Sequence, residues 1–382
     1  MLRERGFRQA ARRATIVAVV AVGAVVAGCG GGSNGDGDKG ASAGNGGDGK
    51  PVVSFATLLY GPKDDGGFNL ANTAPKEALE KEFGDKVKVA YTDNVPFSEE
   101  AGQIAQRQID GGANVLVDSV GLADIVFKVC EDNPDVKCIL YGAAGKVPKN
   151  AQGVWVKYWL KEYAAGQLAG RLTKSNTVGF VSPFDVPFVR TIINSFTMGC
   201  RDTNPDCQVR VVNVNEYFNP PKSSQAANSL VDAGADVLRG AIDDPSYCAV
   251  AEKRGVWAIP EFWDGTPQCP NQIATSTVWN FSDYMVEQTH KILDKTWKPT
   301  GELDLIPADQ AFSLGPWGPK VPADVKTQTE ESFAALTSEE VDPFVGPISD
   351  SAGKVRIQKG DKPDIPFFFN GWKWYVQGVV AR

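Results

Sequence analysis

The feature that most restricts the fold is an alternation of short apolar segments with amphipathic ones, which runs through the first part of the chain and then begins again. Val52–Leu59, Val87–Thr92, Asn114–Asp118 and Lys137–Tyr141 are rich in Val, Ile, Leu and Tyr and too short for helices. Between them lie helical stretches through Glu77–Phe83, Glu99–Ile109, with Ile104, Ala105 and Ile109 on one side, and Ile125–Cys130. Apolar strands separated by helices pair in parallel and are covered on both faces. The order restarts with strands at Thr177–Val181, Val209–Val214, Asp236–Gly240 and Val256–Ile259, and helices near Val189–Met198, Ser223–Ala233 and Tyr247–Lys253. The expectation is an α/β chain of two doubly wound, parallel-sheet lobes of ~100 residues each. Gly153–Tyr158, Thr275–Trp279 and Leu303–Pro307 read as three crossings that form a hinge. The lobes then comprise 51–158 plus about 280–303, and 159–279 plus about 304–382. The tail from Phe312, rich in Pro, Gly and Trp with a hairpin near Gly353–Gln358, is expected to wrap one lobe without chemistry of its own.

The ends and the cysteines speak to compartment. Arg3, Arg5, Arg8, Arg12 and Arg13 precede the apolar run Ala14–Ala27, a secretory signal over residues 1–28 that is too short to span a bilayer stably. Val26-Ala27-Gly28-Cys29 resembles a lipobox, in which Cys29 takes a diacylglycerol and becomes the new N-terminus; ordinary cleavage beside an incidental cysteine is the alternative. Residues 29–50 are Gly, Ser, Asn, Asp, Ala and Lys almost throughout, a flexible tether. Such a protein is anchored to the outer face of the cell membrane rather than spanning it. The six other cysteines fall as local pairs, Cys130/Cys138, Cys200/Cys207 and Cys248/Cys269, and are expected to bridge in that way, although six cysteines admit 15 connectivities.

Chemistry is sought in the loops at the carboxyl ends of strands, where open α/β sheets bind ligands. A net charge of −7 and the lack of a basic patch argue against nucleic acid. With no CxxC and a single histidine, His290, a metal site is not indicated. A Ser-His-Asp set would depend on His290, expected at the surface of the helix Ser282–Lys295, and no GxSxG elbow between strand and helix, P-loop or HExxH motif occurs. No catalytic residue and no cofactor is expected. The strand-end loops do offer aromatic and acidic residues. Phe68 follows the glycines of Asp65-Gly66-Gly67-Phe68-Asn69, where Asn69 would cap the next helix. Tyr217 lies in Asn215–Pro220, Asp243 and Asp264 each follow a strand, and Trp279-Asn280 closes a crossing. Rings across a cleft can sandwich a planar heterocycle and carboxylates can accept its N–H groups; the same rings could equally pack against their own lobes.

In order and spacing these loops resemble the basic membrane protein family of ABC-importer substrate-binding lipoproteins, whose better-known members bind purine nucleosides or nucleobases. The resemblance covers essentially residues 51–350. It rests on Asp65–Asn69, Ala78–Gly84, Asn215–Pro220, Gly234–Val237, Thr275–Asn280 and Asp342–Pro347. It implies the type I periplasmic-binding-protein fold and a non-enzymatic receptor that partners with an ABC permease and its ATPase subunit, meets the membrane through its lipid only, and is monomeric. It further implies that Phe68 stacks on the base with Asn69 beside it, that Tyr217 opposes it, and that Asp243, Asp264 and Ser119 line the cleft. Where nucleoside-binding members resemble Ser-x-x-Lys, this chain has Ser276-Thr277-Val278-Trp279. A large apolar plate in place of a cation should shrink the sugar compartment and favour a free base such as adenine. Another flat heterocycle such as riboflavin, a ligand-presenting sensor and a secreted nucleoside hydrolase are the alternatives.

Overall fold

Apolar runs become strands here where most of their residues are buried between covering helices. The computed structural model describes residues 52–381 apart from 120, 144 and 145, so the leader 1–28, Cys29 and the tether lie outside the described residues. The first half contains strands β1 (Val53–Leu58), β2 (Val87–Thr92), β3 (Val115–Asp118), β4 (Lys137–Tyr141) and β5 (Ala151–Val156). Between them run α1 (Phe68–Ala71), α2 (Pro75–Phe83), α3 (Glu100–Asp110) and α4 (Ala123–Asp132). The second half begins with α5 (Tyr158–Leu172) and continues through β6 (Thr177–Ser182), α6 (Pro187–Thr203), β7 (Gln208–Asn213), α7 (Pro220–Asp232), β8 (Val237–Gly240), α8 (Ser246–Arg254) and β9 (Trp257–Ala258). Then come β10 (Glu261–Phe262), β11 (Thr277–Trp279), α9 (Ser282–Leu293), β12 (Asp304–Ile306), α10 (Ala308–Ala311), β13 (Phe312–Leu314) and α11 (Ala323–Thr337). The tail adds β14 (Ile348–Ser349), β15 (Val355–Ile357) and β16 (Val379–Ala381).

Two parallel sheets organise the molecule. The first has the order β12-β5-β4-β3-β1-β2 and the second β16-β7-β6-β8-β9. In each, the strand order reverses beside the first strand of the unit, and the loops at that switch point open a crevice at the carboxyl ends. β3 is buried along its whole length, as a strand covered by helices on both faces must be. The chain passes between the sheets three times: at Lys157 between β5 and α5, at Asn280-Phe281 between β11 and α9, and at Pro307 between β12 and α10. A small third sheet, β10-β11-β13, sits at these crossings. The crossing read at Gly153–Tyr158 falls at Lys157, after β5 has paired with both β4 and β12 and before Tyr158 opens α5. One expected segment behaves otherwise than read. Asp304–Ile306, assigned to the second lobe, pairs in parallel with β5 in the first sheet.

The second lobe is pinned by α5, which buries all but one of its residues, Arg171. It lies against α6 so closely that a Cβ on Gly166 would stand 2.0 Å from the Phe196 carbonyl, and one on Gly199 would stand 1.9 Å from that of Tyr163. Glycine at both contacts lets the two backbones touch. The tail does pack on this lobe: α11 lies against α5, and β16 extends the second sheet beside β7. The expected small hairpin is β14–β15. The disulfides Cys130–Cys138, Cys200–Cys207 and Cys248–Cys269 form as read from the sequence. His290 is exposed on α9 and meets Glu82.

Candidate functional site

The loop after β1 is shaped by its own side chains. Asp65 accepts hydrogen bonds from the backbone N–H of Gly67 (2.8 Å) and Leu70 (3.0 Å) through Oδ1, and from the Asn69 side chain (2.7 Å) through Oδ2. Asn69 accepts in turn from the N–H of Gly61 at 3.4 Å. Asp65 and Asn69 are therefore buried braces that do not face the cavity, and Asn69 lies inside α1 rather than capping it. Their joint effect is to project Phe68. Its ring makes edge contacts with Trp279 (5.6 Å, 87°) and Phe262 (5.6 Å, 69°), residues of the small sheet at the crossings.

The loop after β8 meets this one. The Phe68 N–H donates to Asp243 Oδ1 at 3.3 Å, and a Cβ on Gly67 would lie 2.4 Å from the Asp243 Cα. The Asp243 N–H donates to the Tyr217 carbonyl at 2.7 Å, which ties the β7 and β8 loops together. Tyr217 touches Tyr60 of the first lobe edge-on at 5.7 Å. The lobes are closed on each other. Between them lies a cavity of about 300 Å³ whose lining includes Phe68, Ser119, Trp155, Tyr217, Asp243, Glu261 and Trp279. Tyr60, Phe97, Tyr141, Tyr158, Phe188 and Phe262 add further aromatic wall.

Five of the nine ligand-site residues read from the sequence thus share one cavity: Phe68, Ser119, Tyr217, Asp243 and Trp279. The Ser119 hydroxyl is already committed to the Leu58 carbonyl at 2.7 Å. Four others lie outside its lining. Besides Asp65 and Asn69, Asp264 is exposed and accepts from the Thr266 N–H and hydroxyl in a turn, so it does not line the cleft as the resemblance implied. Asn280 accepts from the Ser282 N–H at the start of α9. Asp244, the neighbour of Asp243, takes the Ser223 hydroxyl at 2.7 Å and is a loop brace rather than half of an acid pair. The reading missed Trp155 and Glu261. Both stand at or beside strand ends, the same signal that selected Asp243 and Asp264.

Electrostatics separate the acids. Asp243 is pushed well above the ordinary carboxylate range by burial, and its Oδ2 has no hydrogen-bond partner. Glu261 is pushed up to about 7, first by burial and then by the charge of Glu162, against the pull of Lys161 and Arg239. Lys161 and Arg239 are fully buried, bond Glu162 and Glu261, and balance their charge. The Lys161 ammonium also lies 5.0 Å over the Trp279 ring.

Two lobes hinged by three crossings, with an aromatic cavity between them, have the architecture of a solute receptor. The chain belongs to the family described as ABC transporter substrate-binding protein PnrA-like, whose model matches residues 52–311. A purine-binding protein of Brucella abortus (strain 2308) is 29% identical over 323 residues, which is 84% of this chain and 91% of the relative. A protein of Haloferax volcanii whose name proposes glucose as the ligand of an ABC transporter is 26% identical over 320 residues, 83% of this chain and 78% of the relative. A solute-binding protein of an ABC transporter system from Conexibacter woesei shares the fold, with a TM-score of 0.64 at 19% identity over 76% of this chain and 98% of that structure. The family works outside the cytoplasm. No helix among the described residues is long and apolar enough to cross a membrane.

Proposed function

We propose that the protein captures a purine in this cavity for an ABC importer, and a free base such as adenine in preference to a nucleoside. The observation that carries the reading is that Phe68, Tyr217 and Asp243, from three loops and both lobes, line one cavity. A flat ring system offers the stacking faces that such walls reward, worth about 0.5–1.5 kcal/mol beyond area burial. Hydrogen bonds to a carboxylate add about 1.5–3 kcal/mol each. Sub-micromolar capture needs about 8 kcal/mol, so desolvation of the aromatic walls must contribute much of the total. A cavity of about 300 Å³ is at the small end for ligand pockets and suits a base better than a nucleoside or riboflavin. Trp279 lines this cavity, and a large apolar plate there leaves little for a sugar to bond. Glucose, the ligand proposed for the Haloferax relative, would present hydroxyls on every edge to walls that are mostly hydrocarbon rings.

In this reading Phe68 and Tyr217 grip the ring, Asp243 accepts or shares a proton with its N–H edge, and closure of the two lobes traps it. Ser119 and Trp279 complete the wall. Cys29 carries the lipid that keeps the receptor at the membrane, where the closed form docks on a permease and a separate subunit hydrolyses ATP. Calorimetric titration with adenine, adenosine and glucose is the test. Adenine should bind most tightly, and Phe68→Ala should weaken it by about tenfold or more. Wild-type affinity in both Phe68→Ala and Asp243→Ala would discard the assignment.

A further inference from the structure

Glu261 stands apart from the other members of the buried ionic cluster. Glu162 is held between Lys161 and Arg239 and is not part of the cavity wall. Glu261 bonds Lys161 through Oε1, whereas its Oε2, 3.4 Å from Arg239 Nη2, makes no hydrogen bond, and the residue lines the cavity together with Asp243. Asp243 Oδ2 lacks a partner in the same way, as do the indole N–H groups of Trp155 and Trp279. Four buried polar atoms without a hydrogen bond, of which only Glu261 Oε2 has an ion-pair contact, thus belong to lining residues of a single cavity. Buried polar groups are almost always paired, so their concentration here points to pairing by a ligand. Among the described residues no Lys, Arg or His lines the cavity, and the two cations behind Glu261 are already shared by two carboxylates.

We propose that Glu261 is a second ligand-recognition residue beside Asp243, and that its carboxylate makes the cavity select an amino-substituted, uncharged or protonated heterocycle over its oxo-substituted and anionic analogues. The inference rests on the reading of the cavity as a purine site. A purine with an exocyclic amine presents a donor beside a ring-nitrogen acceptor; its oxo counterpart reverses that pair and turns a carbonyl oxygen toward an acid. Repulsion between two acceptors leaves both unpaired once the ligand has displaced water, which is how a polar pocket rejects an isostere. Lys161 and Arg239 position Glu261 from behind rather than touching ligand, since neither lines the cavity.

The experiment is calorimetric titration of the intact protein at mildly alkaline pH with adenine and hypoxanthine. The wild type should prefer adenine by about tenfold or more. Glu261→Gln, which offers an N–H where the carboxylate has none, should bring that ratio close to one by improving hypoxanthine. Because the single variant leaves two buried cations with one carboxylate, the charge-balanced pair Lys161→Met with Glu261→Gln carries the same test in a neutral core. Equal wild-type affinities for the two bases, or a ratio unchanged in the variants, would overturn the inference while leaving the purine reading intact. Failure of the wild type to bind either base would overturn the reading of the site and the inference with it.

Discussion

Asp243 joins three loops by accepting the Phe68 N–H, donating its own N–H to Tyr217 and placing an unpaired oxygen in the cavity wall. Its burial carries a stability consequence with a definite sign. The folded-state pKa lies above the unfolded one, so the folded protein holds a proton that the unfolded chain releases. Stability is then fully present below the ordinary carboxylate range and falls as pH rises from there toward the folded value. Asp243→Asn removes this term. The variant without ligand should show a flatter decline of its unfolding midpoint between acid and neutral pH than the wild type, measured by thermal melts across that range; parallel profiles would mean the carboxyl is solvated when no ligand is bound. At this scale the sequence was legible in part. Phe68, Tyr217 and Asp243 could be found because they follow strands. Asp65 and Asp264 follow strands just as well and serve as loop braces, because a one-dimensional position does not say which way a short side chain turns.

The loop between β1 and α1 shows how an element can be built for closure. Asp65 and Asn69 hold its shape, and Gly67 supplies a surface with no side chain where the β8 loop must arrive. Gly67→Ala places a methyl group where Asp243 backbone now sits, which only separation of the loops can relieve. The variant should fold with a ligand-free melting temperature near that of the wild type and bind adenine more weakly, by about tenfold or more. Unchanged affinity would show that the two loops do not meet in the bound state. Other elements were read less well. α11 was not foreseen, although Val325, Thr329, Phe333 and Leu336 make one buried face at helical spacing. Threonine stands where an apolar residue would have marked the stripe, and prolines and tryptophans around it drew attention to turns. β16 is three residues long and finds its place only by pairing with β7.

Across the whole molecule, the cavity exists only because the lobes are apposed, and the contacts that appose them include the Phe68–Asp243 bond, the close approach of Gly67 to the Asp243 backbone, the Tyr60–Tyr217 edge and the aromatic cluster at the crossings. A receptor of this kind must reopen to release its cargo, and ligand should shift the balance toward closure. Small-angle scattering should therefore record a smaller radius of gyration when adenine is added at saturation; an unchanged value would mean that the closed arrangement is already the resting one. The sequence by itself determined the two parallel-sheet units, the three local disulfides and the loops worth inspecting, because strand length, helical period and cysteine spacing are local quantities. Only the tertiary structure decided which of those side chains share a cavity, that β12 completes the first sheet, and that Glu261 joins Asp243 behind an aromatic wall. Those facts depend on strand pairing and on how the two lobes meet, and both are set by packing among residues far apart in the chain.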